Sequence, residues 1–525
     1  MNTQTMYKFC ILAAGKGTRN KTIDGLHKAL LPIENKAVIS HIIENVPKSV
    51  EIVIPVGYKS EQVKSYVNHV FPNRKIQFVD VDNYDGEGSG PGYSLLQCEE
   101  YLQCPFIFTS VDTLIEEKEL IDIPEYNWVG VSNVDVDSSS SYCLVKGTRV
   151  VESFYYGSGV QAFIGMSGIF NYDIFWDSLK NNSNLNNEHQ VLDGFSNLDE
   201  VQMLDFTWYD LGNDEAYLKT RKELSDEVVA TKNDECIFIE NGKVIKYYSD
   251  SEKTKQRTDR ASYLIGCVPE TEQINENMLS YDYVKGDMFS NVKDRNVLNA
   301  IFPYYKNTFW DSSFEKTEDF INNCKKMYIE KLYKRIEFFV DSDLDKINKI
   351  NRLQVDPIMK ILDRVDWDSI LDKAIPSKFH GDFQPENIIY DGIGFKLIDW
   401  RESFGLSGEV GDFYYDLGKL YHALIINGSL ILKKQYSYYV KEDGTCWLKY
   451  VTKRHLVELM PEFKSFCVDN GLDWDNVELL GILQYIGICS LYQNFHDGDY
   501  GEFLFLLGKF LLTKKLSEIN DENDD

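Results

Sequence analysis

The sequence lacks the patterns that mark secreted, zinc-binding or membrane-spanning proteins. None of its ten cysteines forms a C-x-x-C pair, and most stand in apolar runs such as KFCILAAG and IGICSLY. This favours buried reduced thiols over disulfides or zinc ligands. The N-terminal MNTQTMYKFC shows no basic region followed by an apolar stretch, so it predicts no signal peptide. No run reaches the roughly 18 apolar residues that a membrane span needs. We therefore expect a cytoplasmic protein without a membrane partner.

Positive charge is also scarce. The chain has 55 lysines and arginines against 83 aspartates and glutamates, a formal net charge of -28. Such a chain repels the backbones of DNA and RNA, so nucleic acid is not expected as a partner. Any phosphate that it binds must meet positive groups placed locally, against an unfavourable overall field.

The length of 525 residues, with 43% hydrophobic and 26% charged residues, predicts a globular protein of two or three domains. Short apolar runs read as buried strands in KFCILAAG, EIVIPVGY, KIQFVDVD, FIFTSVD and WVGVSNVDV. KAVISHIIENV and EQVKSYVNHVF read as amphipathic helices between the early strands. This alternation predicts an α/β domain with a parallel, doubly wound sheet over residues 1–225. Ligands of such sheets bind beyond the carboxyl ends of the strands.

A second domain is predicted after a polar linker at 226–233. Two strand-like runs flank Asn241-Gly242, which is a strong signal for a tight hairpin. Residues from about 313 to 375 read as polar helices, and the part beyond 400 reads as mostly helical. We assign 234–516 to this domain and 517–525, which ends in NDENDD, to a disordered acidic tail.

The first chemical motif, LAAGKGTR from Leu12 to Arg19, follows the first predicted strand. Glycines let a backbone approach a ligand closely, and their amides can hold phosphate oxygens. Lysine and arginine side chains in and after this loop add positive charge where a triphosphate would lie. The candidate nucleotide-binding residues are Leu12, Ala13, Ala14, Gly15, Lys16 and Gly17, and Arg19 and Lys28 are the candidate catalytic residues.

Two aspartates stand at other predicted strand ends. Asp112 ends FTSVD, and Asp210 lies in WYDLG. Carboxylates from two strand ends can hold Mg²⁺ against phosphate oxygens. The sequence therefore predicts a magnesium site formed by Asp112 and Asp210.

Residues 8 to about 222 resemble the sugar-phosphate nucleotidyltransferases. The resemblance rests on LAAGKGTR, HKALLP, the aspartate after the middle strand, GMSGIF and WYDLGNDEAY. It implies a Rossmann-like domain in which a substrate phosphate attacks the α-phosphorus of a nucleoside triphosphate, releasing pyrophosphate. It further implies that Lys16 and Arg19 contact the triphosphate and that Lys28 holds the incoming phosphate.

Gly88, Ser89 and Gly90, in GEGSGPGYSLLQ, are candidate contacts to base and ribose. His27 replaces the proline of many family members, and the base-reading segment also departs from the family pattern. These departures leave CTP, GTP or UTP open as the nucleotide.

The second chemical motif is HGDFQPENIIYD followed by LIDW. A kinase needs a carboxylate to accept the proton of the substrate hydroxyl, and an amide and a second carboxylate for Mg²⁺. Asp382, Asn387 and Asp399 supply these groups at a spacing like that of the protein-kinase catalytic loop. The sequence therefore predicts Asp382 as catalytic base and Asn387 and Asp399 as metal ligands.

Residues 234 to about 515 resemble the aminoglycoside phosphotransferase and choline kinase superfamily, which implies a two-lobed, protein-kinase-like (α+β) fold. By this resemblance Lys246 contacts the α- and β-phosphates of ATP and Tyr283 lies in the hinge beside adenine. Asp412 and Asp416, in GDFYYDLG, are expected to be structural. A glycine-rich loop is not evident in the small lobe.

A kinase makes a phosphate ester and a nucleotidyltransferase consumes one, so the two domains suggest consecutive steps. The first interpretation is phosphorylation of a sugar or polyol with ATP and Mg²⁺, then conversion to a nucleoside-diphosphate donor for capsule or other surface glycans. The second is choline or ethanolamine activation by a kinase and a cytidylyltransferase. The third is an active nucleotidyltransferase with a regulatory pseudokinase. The sequence leaves the alcohol and the oligomeric state open.

Overall fold

The computed structural model describes residues 7–17, 21–117, 124–137, 139–181, 190–224, 233–493 and 495–524. Arg19 and most of the predicted linker lie outside the described residues. The chain divides into two compact units, the first made of 1–251 and 273–280 and the second of 252–272 and 281–525.

The first unit contains the predicted strand–helix alternation. Its strands are β1 (Lys8–Leu12), β2 (Pro32–Ile33), β3 (Lys36–Ala37), β4 (Glu51–Val56), β5 (Ile76–Asp80), β6 (Phe106–Ser110), β7 (Thr113–Ile115), β8 (Trp128–Asn133), β9 (Leu144–Gly147), β10 (Val151–Tyr155), β11 (Gln161–Ile169), β12 (Gln202–Asp205), β13 (Trp208–Asp210), β14 (Glu235–Glu240) and β15 (Lys243–Tyr248). Its helices are α1 (Val38–Asn45), α2 (Ser60–Val70), α3 (Pro91–Leu96), α4 (Tyr172–Asn181) and α5 (Asp214–Leu224).

The main sheet runs in the order β10-β9-β11-β6-β1-β4-β5, with β8 pairing with β11 and β12. Strands β6, β1, β4 and β5 are parallel, so the Rossmann-like α/β prediction is confirmed for this part. The prediction of an entirely parallel sheet is wrong, because β11 runs antiparallel to both β6 and β8. Apolar runs show that a strand is buried but not its direction, which depends on the connection before it.

Both faces of the sheet are covered. Along β1, Phe9 and Ile11 pack into one hydrophobic cluster, whereas Cys10 and Leu12 pack into another. Successive side chains of a strand point to opposite faces, so a strand apolar at every position must be buried on both sides. All ten cysteines are free thiols, and seven of them are buried, as their apolar surroundings predicted.

The β14–β15 hairpin forms as predicted, with Asn241 and Gly242 at positive φ in its turn. The hairpin was predicted to belong to the second domain, which was expected to begin at residue 234, but it belongs to the first unit. Phe238 packs edge to face on Tyr66, with ring centroids 5.0 Å apart. The Glu240 carboxylate accepts hydrogen bonds from the Tyr66 hydroxyl and the Ala37 amide. Strands β16 (Thr271–Asn275) and β17 (Met278–Asp282) complete a sheet of order β14-β15-β17-β16.

The second unit is mostly helical. Its helices are α6 (Ser251–Ala261), α7 (Arg295–Phe309), α8 (Glu318–Lys325), α9 (Lys331–Ile336), α10 (Ile358–Leu362), α11 (Trp367–Lys373), α12 (Phe413–Ile425), α13 (Gly428–Leu432), α14 (Arg454–Val457), α15 (Met460–Asp469), α16 (Trp474–Ile488) and α17 (Asp499–Asp524), and a π-helical turn, Lys326–Glu330, joins α8 to α9. Its strands are β18 (Asp287–Met288), β19 (Lys349–Ile350), β20 (Leu353–Gln354), β21 (Pro376–Ser377), β22 (Ile388–Tyr390), β23 (Phe395–Leu397), β24 (Gly411–Asp412), β25 (Tyr436–Val440) and β26 (Thr445–Tyr450).

The sequence correctly predicted the β22–β23 hairpin and its turn at Asp391-Gly392. It did not predict the β25–β26 hairpin. Helix α17 continues to Asp524, so the predicted disordered tail is helical for most of its length. The protein-kinase-like fold of this unit stays a prediction. No helix in the described ranges is long and apolar enough to cross a membrane.

We expect Phe238→Ala to lower the free energy of unfolding by about 3–5 kcal/mol, because it leaves a cavity in the core of the first unit. Ile239→Ala is the matched control, since Ile239 is the next residue on the strand and is 41% exposed. This control should lower the free energy of unfolding by less than about 0.5 kcal/mol. Urea denaturation followed by circular dichroism measures both. Equal losses of unfolding free energy in Phe238→Ala and Ile239→Ala would show that the hairpin is not part of this core.

Candidate functional sites

The first candidate site lies at the carboxyl ends of β1, β5 and β6. Leu12, Ala13 and Ala14 are buried at the end of β1, where the Ala13 amide donates to Pro55 O and Ala14 O accepts from the Tyr58 amide. These bonds align the start of the loop with β4. The loop then emerges towards solvent at Gly15 and Lys16, as a phosphate-binding loop must.

Lys28 and Asp112 form the centre of this site. Lys28 Nζ lies 3.0 Å from Asp112 Oδ2, so the predicted phosphate-holding lysine and the predicted metal-binding carboxylate are in contact. Gly17 has φ +61°, and a Cβ on it would lie 2.8 Å from Lys28 Cδ. Gly17 therefore allows the loop to pass close to Lys28.

His27 fixes the segment that carries Lys28. It is fully buried, and its Nδ1 accepts a hydrogen bond from the Ala29 amide at 3.1 Å. Burial, reinforced by the charge of Lys28, lowers the pKa of His27 to about 3. This histidine is therefore neutral and acts as a helix cap, not as an acid or base.

Asp210 reaches the same region through a short antiparallel pairing. Strand β13 pairs with β7 so that Asp210 lies opposite Thr113, and the Leu211 amide donates to Asp112 O at 3.1 Å. The two predicted metal ligands are thus neighbours across this ladder. Tyr142 donates its hydroxyl to Asp210 Oδ2 at 3.0 Å.

These residues fit Mg²⁺. No group of three or more histidine, cysteine, aspartate or glutamate side chains in the described part of the chain could hold a metal. Mg²⁺ usually takes one or two carboxylates and completes its shell with water and substrate phosphates, so the pair Asp112 and Asp210 is sufficient.

The predicted base-reading segment adjoins the first loop. Lys16 forms an ion pair with Asp85, just before Gly88. Gly88 and Gly90 have positive φ, and the Ser89 hydroxyl donates to Gly86 O at 2.6 Å. Gly90 is followed directly by α3. The structure thus brings this segment beside the first loop, while its contacts to base and ribose stay a prediction.

The second candidate site is built around Asp382. Asn387 Nδ2 and Gln384 Nε2 donate to Asp382 Oδ2 at 3.0 and 3.2 Å. Lys419 Nζ lies 3.1 Å from Asp382 Oδ1. Burial alone would raise the pKa of Asp382, but the charge and hydrogen bond of Lys419, with His380, hold it below its usual value. Asp382 is therefore an ionised carboxylate that can accept a proton.

Asp416 holds the loop that presents Asp382. Its carboxylate accepts from the amides of His380 and Gly381 at 2.6 and 2.8 Å. Asp412 similarly accepts from Tyr328 Oη at 2.6 Å and from the Ile375 amide at 2.9 Å. Both aspartates are fully buried, in agreement with their predicted structural roles.

Asp399 follows β23 with φ +60°, a left-handed conformation that aspartate adopts more readily than most residues. Its Oδ1 accepts from Arg257 Nη1 at 2.9 Å, and Arg257 also pairs with Glu402 at 3.4 Å. The Asn387 amide and the Asp399 carboxylate are oxygen ligands of the kind that Mg²⁺ prefers, so this pair also fits the ion.

Two further residues, Lys246 and Tyr283, were predicted to contact ATP. Lys246 is buried on β15 and belongs to the first unit, whereas Asp382, Asn387 and Asp399 belong to the second. Tyr283, after β17, is 48% exposed. Their proposed contacts with ATP stay predictions.

Sequence reasoning missed Lys419 and Arg257. Lys419 follows Asp416 by three residues on α12, so both lie on one face of that helix and the spacing could have indicated it. Arg257 lies on α6 with no motif around it, and no sequence signal pointed to it.

One family profile matches the N-terminal part of the chain. Residues 9–122 match the family profile described as the MobA-like NTP transferase domain. Residues 9–122 are therefore similar to an NTP transferase domain.

Several curated relatives carry the name bifunctional protein GlmU. That of Methanococcus vannielii is 32% identical over 127 residues, which is 24% of this chain and 29% of the relative. That of Methanocaldococcus jannaschii is 25% identical over 251 residues, which is 45% of this chain and 59% of the relative. The chain thus spans less than two thirds of the length of either.

Two solved structures are also similar. UDP-glucose pyrophosphorylase with UDP-glucose has a TM-score of 0.35 at 18% identity, over 42% of this chain and 98% of that chain. CTP:phosphocholine cytidylyltransferase of Streptococcus pneumoniae has a TM-score of 0.35 at 19% identity, over 42% of this chain and 100% of that chain.

We expect Gly381→Ala to destabilise the second unit. Gly381 has φ +88°, and a Cβ on it would lie 2.6 Å from Arg401 Cβ. Gly392→Ala is the control, since Gly392 has φ +93° with nothing within 4 Å of the added Cβ. Gly381→Ala should cost about 1–3 kcal/mol more than the control, because it adds overpacking to the same backbone strain. Urea denaturation measures the difference, and equal losses would contradict the close packing of Gly381 on Arg401.

Proposed function

We propose that the chain is a bifunctional enzyme that works on nucleoside triphosphates. The N-terminal domain transfers a nucleotidyl group from CTP, GTP or UTP to a phosphate ester. The second unit makes a phosphate ester from a small alcohol and ATP, and the two reactions are consecutive. The product is a nucleoside-diphosphate donor of the kind used for capsule and other surface glycans.

The contact between Lys28 and Asp112 supports the nucleotidyl transfer. It joins a positive charge for the attacking phosphate to a carboxylate for the metal, beside a loop that is exposed at Lys16. An oxygen of the phosphate ester attacks the α-phosphorus, a new P–O bond forms, and the bond to the β-phosphate breaks with release of pyrophosphate. Mg²⁺ bound at Asp112 and Asp210 would neutralise charge on the phosphate oxygens. The protein contributes mainly positioning and charge.

The environment of Asp382 supports the kinase. Its Oδ2 is oriented by Asn387 and Gln384, and its Oδ1 by Lys419. The alcohol oxygen attacks the γ-phosphorus of ATP, its proton passes to the Asp382 carboxylate, and the bond to the β-phosphate breaks to release ADP. Asn387 and Asp399 would hold Mg²⁺ beside these phosphates.

We expect Asp112→Asn to lower kcat/KM for pyrophosphate release by about 10²-fold or more, because a metal-binding charge is lost. Asp80→Asn is the control, since Asp80 ends β5 at the same edge of the sheet but is largely exposed. The assay supplies CTP, GTP, UTP or dTTP with a panel of sugar, polyol and choline phosphates. Equal rates for wild type and Asp112→Asn would exclude this site.

We expect Asp382→Asn to lower ADP release by about 10²–10⁴-fold, because the hydroxyl proton loses its acceptor. The control, Asp391→Asn, changes an exposed carboxylate in the nearby hairpin turn. The assay supplies ATP, Mg²⁺ and unphosphorylated sugars, polyols and amino alcohols. ATP binding without turnover of any acceptor would favour the regulatory pseudokinase instead.

A further inference from the structure

Four cationic side chains gather around Tyr415 in the second unit. Arg401 Nη1 donates to the Tyr415 hydroxyl at 3.0 Å. Lys331 and Arg335 line a cavity of about 30 Å³ with Tyr415, and both also line a wider cleft of about 520 Å³. Lys419 lies one helical turn beyond Tyr415 on α12 and pairs with Asp382. We call Lys331, Arg335, Arg401 and Lys419 the cationic cluster.

The cluster has few negative partners. Among the residues that the structure describes, Lys419 is the one member with a carboxylate oxygen within 4.0 Å. Arg335 Nη1 donates to Gly487 O at 2.5 Å instead. Arg401 Nε is buried and makes no hydrogen bond within the described ranges.

The nearby acidic groups include one that pairs with a member of the cluster, one that pairs with Arg257 and one at the cleft. Glu402 pairs with Arg257, and Asp382 pairs with Lys419. Glu337 lines the wider cleft. The cluster therefore keeps an excess of positive charge although the whole chain is strongly negative.

Holding positive charge on Lys331 and Arg335, the two members that line the cavity, is unfavourable without an anion. Burial lowers the pKa of Lys331 to about 7, and repulsion from Arg401, Arg335 and Lys419 adds to the effect. Desolvation likewise lowers the pKa of Arg335. A bound anion would offset both the repulsion and the lost hydration. The π-helical turn Lys326–Glu330 stands directly before Lys331, and such turns occur frequently at functional sites.

The cluster is also close to the proposed catalytic base. Residues four apart on a helix are about 6 Å apart, and Tyr415 and Lys419 have this spacing. Lys419 in turn contacts Asp382. A small molecule could therefore place an anionic group near Tyr415 and a hydroxyl group near Asp382.

We propose that the cationic cluster binds an anionic group of the acceptor, so that the alcohol substrate carries a phosphate or a carboxylate besides its reacting hydroxyl. This inference rests on the proposed kinase function and narrows its substrate class. It disfavours choline, whose positive charge the cluster would repel.

The test measures ADP release with matched acceptors: a sugar and its phosphate ester, a polyol and its phosphate ester, a polyol and its corresponding acid, and choline. We expect the anionic member of a pair to be the better substrate. Lys331→Gln and Arg335→Gln should each raise its KM by about 10–100-fold and leave the KM for ATP unchanged. Lys360→Gln, at an exposed lysine on α10, should change neither the KM for the anionic acceptor nor the KM for ATP.

A second measurement does not depend on turnover. Calorimetric titration of the full-length chain with inorganic phosphate should show a binding event that is lost in the double variant Lys331→Gln/Arg335→Gln and kept in Lys360→Gln. Phosphate binding at the nucleotide sites is common to all three proteins and cancels in the comparison.

The outcomes separate the inference from the function on which it rests. If a neutral or cationic acceptor is preferred and the double variant binds phosphate like wild type, the inference is wrong although the kinase stands. If Asp382→Asn releases ADP as fast as wild type, the proposed kinase fails, and loss of phosphate binding in the double variant would still identify an anion site. The panel contains both phosphate esters and a carboxylic acid, so the preferred acceptor shows whether the cluster binds a phosphate or a carboxylate.

Discussion

A lysine in contact with a carboxylate stands at the centre of each candidate site. Lys28 and Asp112 lie 3.0 Å apart in the first unit, and Lys419 and Asp382 lie 3.1 Å apart in the second. In a chain with a net charge of -28, phosphates can be bound only where cations are held in place. Each carboxylate fixes its lysine in position. At the second site the charge and hydrogen bond of Lys419 also hold the pKa of Asp382 below its usual value.

Backbone contacts fix these pairs in position. At the first site His27 caps the short helical turn of Lys28, and Gly17 lets the loop pass beside that lysine. At the second, Asp416 binds two successive amides of the catalytic loop. His27 and Asp416 are fully buried, so they cannot rearrange without leaving buried polar groups unpaired. Preorganisation of this kind is what phosphoryl and nucleotidyl transfer require from a protein.

The sequence was sufficient for several local signals, although it missed the local β25–β26 hairpin. Alternating apolar runs located the parallel strands, and Asn241-Gly242 located a hairpin turn. Asp112 and Asp210 could be placed together because both lie at strand ends. The direction of β11 and the packing of β14–β15 on the first unit could not be predicted, since both depend on contacts between residues far apart in the chain. Lys419 pairs with Asp382, 37 positions earlier in the sequence, and the one local signal for it was its spacing of three residues from Asp416 on α12.

Charge acts on two length scales in this protein. The overall negative charge repels anions from a distance, but salt screens that repulsion beyond about 8–10 Å at physiological ionic strength. The cationic cluster acts at a distance of a few ångströms, well within that screening length. A phosphorylated or carboxylated metabolite thus gains binding energy only once its anionic group reaches Lys331 and Arg335. Selection then depends on the distance between that group and the reacting hydroxyl, because a molecule of the wrong length can satisfy the cluster or Asp382 but not both.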